Sequence, residues 1–397
     1  MSITELSRSL ERMLPANGHS HQRPRRLMFV IEALTVGGAE RMVVDLANEF
    51  SRRGDIVSVV CLSSIGELAE SLSDDVSLHL LNKKPGVDLR VIGRLRKIVL
   101  QQRVEVVNSH LWTANLWTRL ALYRHSIPVV ITEHNRDVWK RLHNKLIDRV
   151  LSYFTARLIA VSEDTASFYR YDVGINGKLV CVVNNGVDTQ RYASGRGEFL
   201  RCHLASELEL LVGTVGRLAV QKNHLRLVQA AAILKAQGLP VRIVIAGDGP
   251  EREAIEACIT EHDVAEYVNL LGERSDIPDL LAALDVFVLS SDREGYPLAA
   301  LEAQSAGTPV VLTNAGGCAD AISQSASGCG GLLVDKTPEA IATAIAELAM
   351  DRQRLLSMGE FACKHASQHF DKRTMIDRYS EIFDDVVPGP LNPFLLT

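Results

Sequence analysis

Two glutamates eight residues apart, Glu294 and Glu302, stand out because the chain around them carries few charges. Between residues 295 and 319 the only ionisable carboxylate or amine is Glu302, and small and apolar residues surround it at helical spacing. A charge without a partner in a dry site costs several kcal/mol. Glu302 could accept hydrogen bonds from neutral hydroxyls such as a ribose diol, or it could form a salt bridge with a remote arginine.

The segment around Glu302 is predicted to be a helix over residues 297–306, since Pro297 fits the first helical position. The N–H groups of Leu298 and Ala299 then belong to the first turn, which has no intrahelical acceptors and favours an anion. Glu294 lies in the preceding loop, where it could bind the hydroxyls of a sugar ring.

Two cations occur in the stretch GTVGRLAVQKNH at residues 213–224, namely Arg217 and Lys222. They follow an apolar strand pattern and precede a helical one, so they are expected at the carboxyl edge of a parallel sheet, where loops often carry function. A diphosphate would fit there. The alternative is a pair of solvated loop cations.

Two glycine-containing loops also follow predicted strands. Gly37 and Gly38 precede a helix that begins near Ala39, and Gly247 lies in AGDGP at residues 246–250. Glycine lets a backbone approach a ligand closely, and a helix N-terminus attracts anions. Each loop could equally be an ordinary tight turn.

The bulk properties describe an ordinary globular chain of 397 residues, with 47% hydrophobic residues and a formal net charge of −5. This charge does not indicate nucleic-acid binding. The seven cysteines form no CxxC pair, which favours reduced thiols in the cytoplasm. There is no apolar run of membrane-spanning length. Residues 1–24 do not resemble a signal peptide and are interpreted as a loose tail or one short amphipathic helix.

Strand and helix patterns alternate twice along the chain, which predicts an α/β protein with two tandem Rossmann-like domains and a ligand site in the cleft between them. The predicted boundaries are 1–24 for a flexible tail, 25–190 for the first domain, 191–370 for the second, and 371–397 for a C-terminal helix that crosses back to the first. Strands are predicted at 27–33, 104–108, 128–132, 158–161, 179–183, 208–215, 241–246, 268–271, 286–289, 310–313 and 332–334, with a further one in IVSVVCL.

Taken together, the E-x7-E pair, GRL-x-x-x-K-N, AGDGP, VNNGVD and GGAE resemble the retaining glycosyltransferase family 4 over residues 25–379. The resemblance implies the two-domain GT-B fold and a nucleotide-sugar donor whose nucleotide is UDP or GDP. It also implies that a polar ligand, rather than the protein, is the partner of Glu302.

The resemblance assigns roles to individual residues. Catalytic roles fall on His110, Arg217, Lys222 and Glu294, with the two cations on the diphosphate and Glu294 on the donor sugar. His134 is expected on the acceptor side. Many relatives have a second histidine where this chain has Asn108. The implied donor-binding residues are Gly37, Gly38, Gly216, Gly247, Gly272, Glu273, Arg274, Gly295, Leu298, Ala299 and Glu302.

The expected activity is retaining transfer of a sugar to a glycan or a lipid-linked acceptor in polysaccharide or glycolipid synthesis. A front-face route, in which the leaving phosphate takes the acceptor proton, is the working hypothesis. No DxD motif occurs, so no metal or other cofactor is expected. The alternatives are a sugar-nucleotide epimerase of the same fold and a non-catalytic nucleotide-sugar-binding protein.

The segment at residues 138–154 is amphipathic, with basic residues that include Lys140, Lys145 and Arg149 beside Leu142 and Leu146. It could lie on anionic lipid at the inner face of the cell membrane. The pattern favours the alternative, a helix packed on the first sheet with a solvated basic edge.

Overall fold

The computed structural model describes residues 23–387, so most of the predicted tail and the last ten residues lie outside the described part. The first domain holds a parallel sheet of seven strands in the order β3-β2-β1-β4-β5-β6-β7. Its strands are β1 (Arg26–Ile31), β2 (Ile56–Cys61), β3 (Ser77–Leu80), β4 (Val106–His110), β5 (Val129–Glu133), β6 (Arg157–Ala160) and β7 (Val180–Val182). Its helices are α1 (Gly38–Arg52), α2 (Arg90–Gln101), α3 (Trp112–Ala121), α4 (Leu142–Leu151) and α5 (Glu163–Ser167).

The second domain repeats the same arrangement with a parallel sheet of six strands, in the order β10-β9-β8-β11-β12-β15. Its strands are β8 (Leu210–Val215), β9 (Val241–Ala246), β10 (Val268–Gly272), β11 (Val286–Leu289), β12 (Val310–Thr313) and β15 (Gly331–Val334), and β13 (Gln324–Ser325) pairs with β14 (Gly328–Cys329) in a small hairpin. Its helices are α6 (Thr189–Ala193), α7 (Glu198–Leu204), α8 (His224–Ala236), α9 (Arg252–Glu261), α10 (Ile277–Ala283), α11 (Leu298–Ser305), α12 (Pro338–Met350) and α13 (Arg352–His369). The prediction of two Rossmann-like domains is confirmed.

The central strands are continuous apolar runs because helices cover both faces of each sheet. Leu27 to Ile31 of β1 are all buried, and α1 buries Val43, Leu46 and Phe50 against the same sheet. In both sheets the strand order reverses beside the first strand, between β1 and β4 and between β8 and β11. Ligands of such sheets bind at this reversal point, outside the carboxyl ends of the strands.

The last helix, α14 (Lys372–Val386), belongs to the core of the first domain although it follows the second in sequence. Its Phe383 ring lies 5.5 Å from the ring of Phe50. The Arg25 guanidinium joins it to the sheet, with ion pairs of 2.7 Å to Asp55 and 2.9 Å to Asp384. The end of the second domain is therefore tied to the first by packing and by charge.

Two of the departures from the predicted elements lie in the first domain. The edge strand β3 was not predicted, because its four residues, SLHL, carry too short an apolar pattern. The long helix expected over 138–154 is wrong in extent, since α4 covers only Leu142–Leu151.

Candidate active site

The loop that carries Arg217 leaves the carboxyl end of β8 and leads into α8. Asn223, with a φ of 45°, begins that helix, and its side chain accepts a hydrogen bond from the N–H of Arg226. The AGDGP loop crosses directly below, since a Cβ at Gly247 would lie 2.0 Å from the carbonyl oxygen of Gly216. Gly247, whose φ is 134°, thus permits two loops to cross. Arg217 is left exposed at the sheet edge.

Lys222 and Glu294 come together at the same edge. The Nζ atom of Lys222 lies 2.7 Å from Oε1 of Glu294, and the hydroxyl of Ser291 donates to the same oxygen. The Glu294 side chain is 7% exposed. An anion bound near Lys222 would therefore meet a cation held in place by a nearly buried carboxylate.

Gly295 is the point at which the two domains meet. A Cβ at this position would lie 1.7 Å from the carbonyl oxygen of His134, which follows β5 of the first domain. A second contact joins the Gly-Gly loop to α11, because a Cβ at Gly38 would lie 3.4 Å from Cδ1 of Leu298. Glycine at 295 therefore allows the first domain to close on the start of α11, whereas a Cβ at 38 would make only an ordinary van der Waals contact.

The expectation that no protein group is the partner of Glu302 is wrong, and so is the alternative of a salt bridge to a remote arginine. The hydroxyl of Tyr192 donates to Oε1 of Glu302 at 2.7 Å. Burial raises the pKa of Glu302, and the Tyr192 hydrogen bond and then Arg41 oppose this rise. The carboxyl group nevertheless borders an open cavity of about 500 Å³, together with Arg41, Leu298 and Lys372. Tyr192 thus holds the carboxylate at the border of this cavity.

His110 does not reach the cleft directly, because its side chain is fully buried. Its Nε2 lies 2.8 Å from Oδ1 of Asn108, and its Nδ1 lies 3.0 Å from Nε2 of His134. The amide group of Asn108 donates to the carbonyl of Val130, so its Oδ1 must accept. His110 therefore carries its proton on Nε2 and accepts on Nδ1 from His134.

Burial and the neighbouring His134 ring hold the pKa of His110 well below its usual value, and burial lowers the pKa of His134 to about 4. Both rings are therefore neutral at pH 7. Of the two, His134 lies nearer the cleft, and Asn108 fixes its tautomer through His110. The departure noted in the sequence, an asparagine at 108, thus fills a defined place in the network.

The remaining predicted site residues are spread around this centre. The Gly272 carbonyl accepts from the N–H of Gly247 at 2.7 Å, which links the ends of β9 and β10. Glu273 is exposed, and Arg274 is paired within its own loop to Asp276 at 2.8 Å. Gly37 directly precedes α1, and Ala299 lies in the first turn of α11, which begins one residue after Pro297. Gly272 thus ends β10, and Glu273 and Arg274 lie in the loop that follows it.

The outer face of α4 is apolar and exposed, whereas the expectation was a helix packed on the sheet with a solvated basic edge. The exposed fractions are 83% for Leu142, 58% for Leu146 and 50% for Val150. Val138, Trp139 and Tyr153 are also about half exposed or more. We call the surface formed by these three residues and by Leu142, Leu146 and Val150 the apolar row. Arg141 and Arg149 are exposed beside it.

A buried group of charges anchors α4 from inside, and the sequence did not reveal it. Lys140, which was counted with the surface cations, is fully buried, with Nζ 2.8 Å from Asp148 and 3.9 Å from Glu133. Arg119 pairs with the other oxygen of Asp148 at 2.6 Å. Burial raises the pKa of Glu133 to about 7, although Lys140 opposes the rise. Lys140 precedes α4 whereas Asp148 lies within it, so their pairing follows no single helical spacing.

No helix within residues 23–387 is long and apolar enough to cross a membrane. The same part of the chain holds no group of three or more metal-binding side chains.

The family follows from comparison with known proteins. Residues 36–191 match the family model described as "Glycosyltransferase Family 4", and residues 198–365 match "Glycosyl transferases group 1". With this fold and site, the chain belongs to glycosyltransferase family 4 and is a glycosyltransferase of the GT-B type.

Among the similar proteins is the Escherichia coli UDP-Gal:alpha-D-GlcNAc-diphosphoundecaprenol alpha-1,3-galactosyltransferase, 31% identical over 66% of this chain and 72% of the relative. The Campylobacter jejuni N,N'-diacetylbacillosaminyl-diphospho-undecaprenol alpha-1,3-N-acetylgalactosaminyltransferase is 28% identical over 59% of this chain and 61% of the relative. The structure of Anabaena HepE in complex with UDP has a TM-score of 0.80 at 22% identity, covering 91% of this chain and all of that one. These relatives favour neither the epimerase nor the non-catalytic alternative.

Proposed function

We propose that this enzyme moves a sugar from a nucleotide diphosphate-sugar, with UDP as the best-supported carrier, to a hydroxyl of a lipid-linked glycan, with retention of the anomeric configuration. The observation that carries the proposal is the Lys222–Glu294 ion pair at the interdomain contact. The names of the two bacterial relatives, with a UDP-sugar donor in one and diphosphoundecaprenol-linked acceptors in both, support the donor and acceptor classes.

In this reaction the bond between the anomeric carbon and the diphosphate breaks, and a bond to the acceptor oxygen forms. The acceptor proton goes to the leaving phosphate, so the products are the new glycoside and the nucleoside diphosphate. Arg217 and Lys222 would neutralise the charge that grows on the leaving group, and the first turn of α11 would add to this. Glu294 would hold the sugar hydroxyls beside Lys222.

We also propose that these protein cations suffice without a divalent metal. Turnover in excess EDTA should then equal turnover in added magnesium. A rate that depends on the metal would overturn this part of the proposal.

The test of the activity is an assay of nucleoside diphosphate release with a UDP-sugar and a lipid-linked acceptor. The Arg217→Ala/Lys222→Ala double variant should lose most turnover, while a matched double variant of exposed cations, Lys235→Ala/Arg252→Ala, should retain it. Proton NMR of the product should show the anomeric configuration of the donor. Inversion, or wild-type release in the first variant, would contradict the proposal.

The apolar row supports a peripheral position on an anionic bilayer, since exposed apolar side chains with flanking arginines fit such a surface. The enzyme should sediment with phosphatidylglycerol vesicles more than with phosphatidylcholine vesicles. Leu142→Gln/Leu146→Gln should reduce this binding, and Leu208→Gln/Leu356→Gln, also at exposed leucines, should not. The contrary outcome is a monodisperse dimer in wild type that becomes a monomer in Leu142→Gln/Leu146→Gln. It would show that a second copy of the chain, rather than a membrane, covers the apolar row.

A further inference from the structure

A second open cavity, of about 450 Å³, lies between the domains on the other side of the Gly295 contact. Glu294 borders it from the second domain, so a molecule there would lie beside the residue assigned to the donor sugar. Val138, Asn135 and Arg136 border it from the first domain. The cavity therefore occupies the place from which an acceptor would approach.

The cavity carries positive charge from both domains. Arg293 is exposed and, within residues 23–387, makes no hydrogen bond or ion pair. Arg136 is 47% exposed and lies 3.7 Å from Asp164, which is too far for a short ion pair. Lys336 donates to the backbone carbonyl of Asp292 at 2.8 Å and keeps further donors.

Two of the three carboxylates of the same cavity have partners outside it. Glu294 is paired with Lys222 at 2.7 Å, and Asp292 is paired with Arg226 at 2.6 Å. Three cations and three carboxylates border the cavity. Glu294 and Asp292 are neutralised by cations outside it, which leaves Asp164 as the one carboxylate to set against the three cations. Two positive charges therefore remain in surplus, which suits a diphosphate.

The rim of the cavity continues into the apolar row, because Val138 belongs to both and is 49% exposed. Trp139 is 52% exposed, and Leu142 and Leu146 follow at helical spacing on the exposed face of α4. A cationic cavity that opens onto an apolar ridge matches a molecule with an anionic head and a hydrocarbon chain.

We propose that Arg136 and Arg293 bind the phosphate groups of a lipid-diphosphate-linked acceptor, whose hydrocarbon chain lies along the apolar row. Guanidinium groups suit this task because they form paired hydrogen bonds with phosphate oxygens. The inference rests on the proposed function, since it takes this molecule as the sugar acceptor. It adds that the enzyme recognises the charged link between sugar and lipid, and that one arginine comes from each domain.

The test is calorimetric binding of farnesyl diphosphate to the whole enzyme in saturating UDP, which keeps the probe out of the donor phosphate site. Arg136→Gln/Arg293→Gln should weaken binding at least about tenfold, because two charged hydrogen-bond donors to the phosphate groups are lost. The matched variant Lys235→Gln/Arg252→Gln should bind as wild type.

Further measurements separate the contribution of the anionic head of the probe from that of its hydrocarbon chain. Inorganic pyrophosphate should bind more weakly than farnesyl diphosphate, and Leu142→Gln/Leu146→Gln should weaken only the farnesyl compound. Equal affinity of wild type and Arg136→Gln/Arg293→Gln would overturn the phosphate assignment, and equal affinity for pyrophosphate and farnesyl diphosphate would overturn the lipid assignment. UDP affinity, measured in the same samples without the probe, tests the donor site separately.

Discussion

The Nζ atom of Lys222 lies 2.7 Å from Oε1 of Glu294, although 72 residues separate the two in sequence. The ion pair joins the loop after β8 to the loop before α11, and it lies beside the contact of Gly295 with the carbonyl of His134. The residues proposed for charge neutralisation and sugar recognition thus lie beside a close contact between the two domains.

The first prediction concerns Lys222 itself. Lys222→Ala should lower kcat about 100-fold, because a positioned charge on the leaving group contributes roughly 3 kcal/mol to the barrier. The measurement is steady-state nucleotide release, with Lys235→Ala as the exposed control. A fall in donor affinity alone, with kcat unchanged, would show that Lys222 binds the donor without acting on the transition state.

The second prediction separates the two partners of the Tyr192–Glu302 hydrogen bond. Glu302→Gln should raise the KM for donor about tenfold, since the carboxylate would lose charged hydrogen bonds with ligand hydroxyls. Tyr192→Phe should change KM less than about threefold, because the ligand replaces the tyrosine hydroxyl. Equal effects in the two variants would mean that the pair acts only within the protein.

The third prediction concerns domain closure. Gly295→Ala should lower turnover at least about tenfold, because its Cβ would lie 1.7 Å from the His134 carbonyl and must push the domains apart. Small-angle scattering should show a larger radius of gyration. The control is Gly93→Ala, where a Cβ meets nothing within 4 Å and a gain in helix stability is expected. A closed, fully active Gly295→Ala enzyme would refute this role.

The fourth prediction concerns pH. Burial raises the pKa of Glu133 to about 7 in the folded chain, while the unfolded chain ionises near 4.5. The folded state therefore binds more protons between these values, and wild type loses stability as pH rises through that window. Relative to wild type, Glu133→Gln should gain roughly 3 kcal/mol in unfolding free energy from pH 4.5 to pH 7.5.

The measurement is denaturant unfolding at several pH values, with the exposed Glu347→Gln as control. A stability difference between Glu133→Gln and wild type that stays constant with pH would show that the pKa of Glu133 is the same in the folded and unfolded chain.

The sequence predicted the fold and the order of the loops because buried parallel strands are readable as apolar runs and the functional loops follow them directly. It placed Arg217, Lys222 and Glu294 at one sheet edge for the same reason. It could not show that Tyr192 bonds to Glu302, because that pair is 110 residues apart and nothing in either local pattern records it.

The first domain was harder to read at α4 and at the histidines. An amphipathic helix has the same pattern whether its apolar face is buried or exposed, so the sequence could not predict which face of α4 meets the solvent. Lys140 looks like any surface cation until Glu133, Asp148 and Tyr169 are placed around it. Likewise, His110 is buried beside Phe29 of β1 and His134 after β5, which come from other parts of the chain.

The most direct test of the central claim, that Arg217 and Lys222 neutralise a donor diphosphate in the interdomain cleft, is calorimetric titration with UDP and with uridine. Wild type should bind UDP at least about 100-fold more tightly than uridine, and Arg217→Ala/Lys222→Ala should abolish most of that difference while Lys235→Ala/Arg252→Ala preserves it. An unchanged preference for UDP in the Arg217→Ala/Lys222→Ala enzyme would contradict the claim.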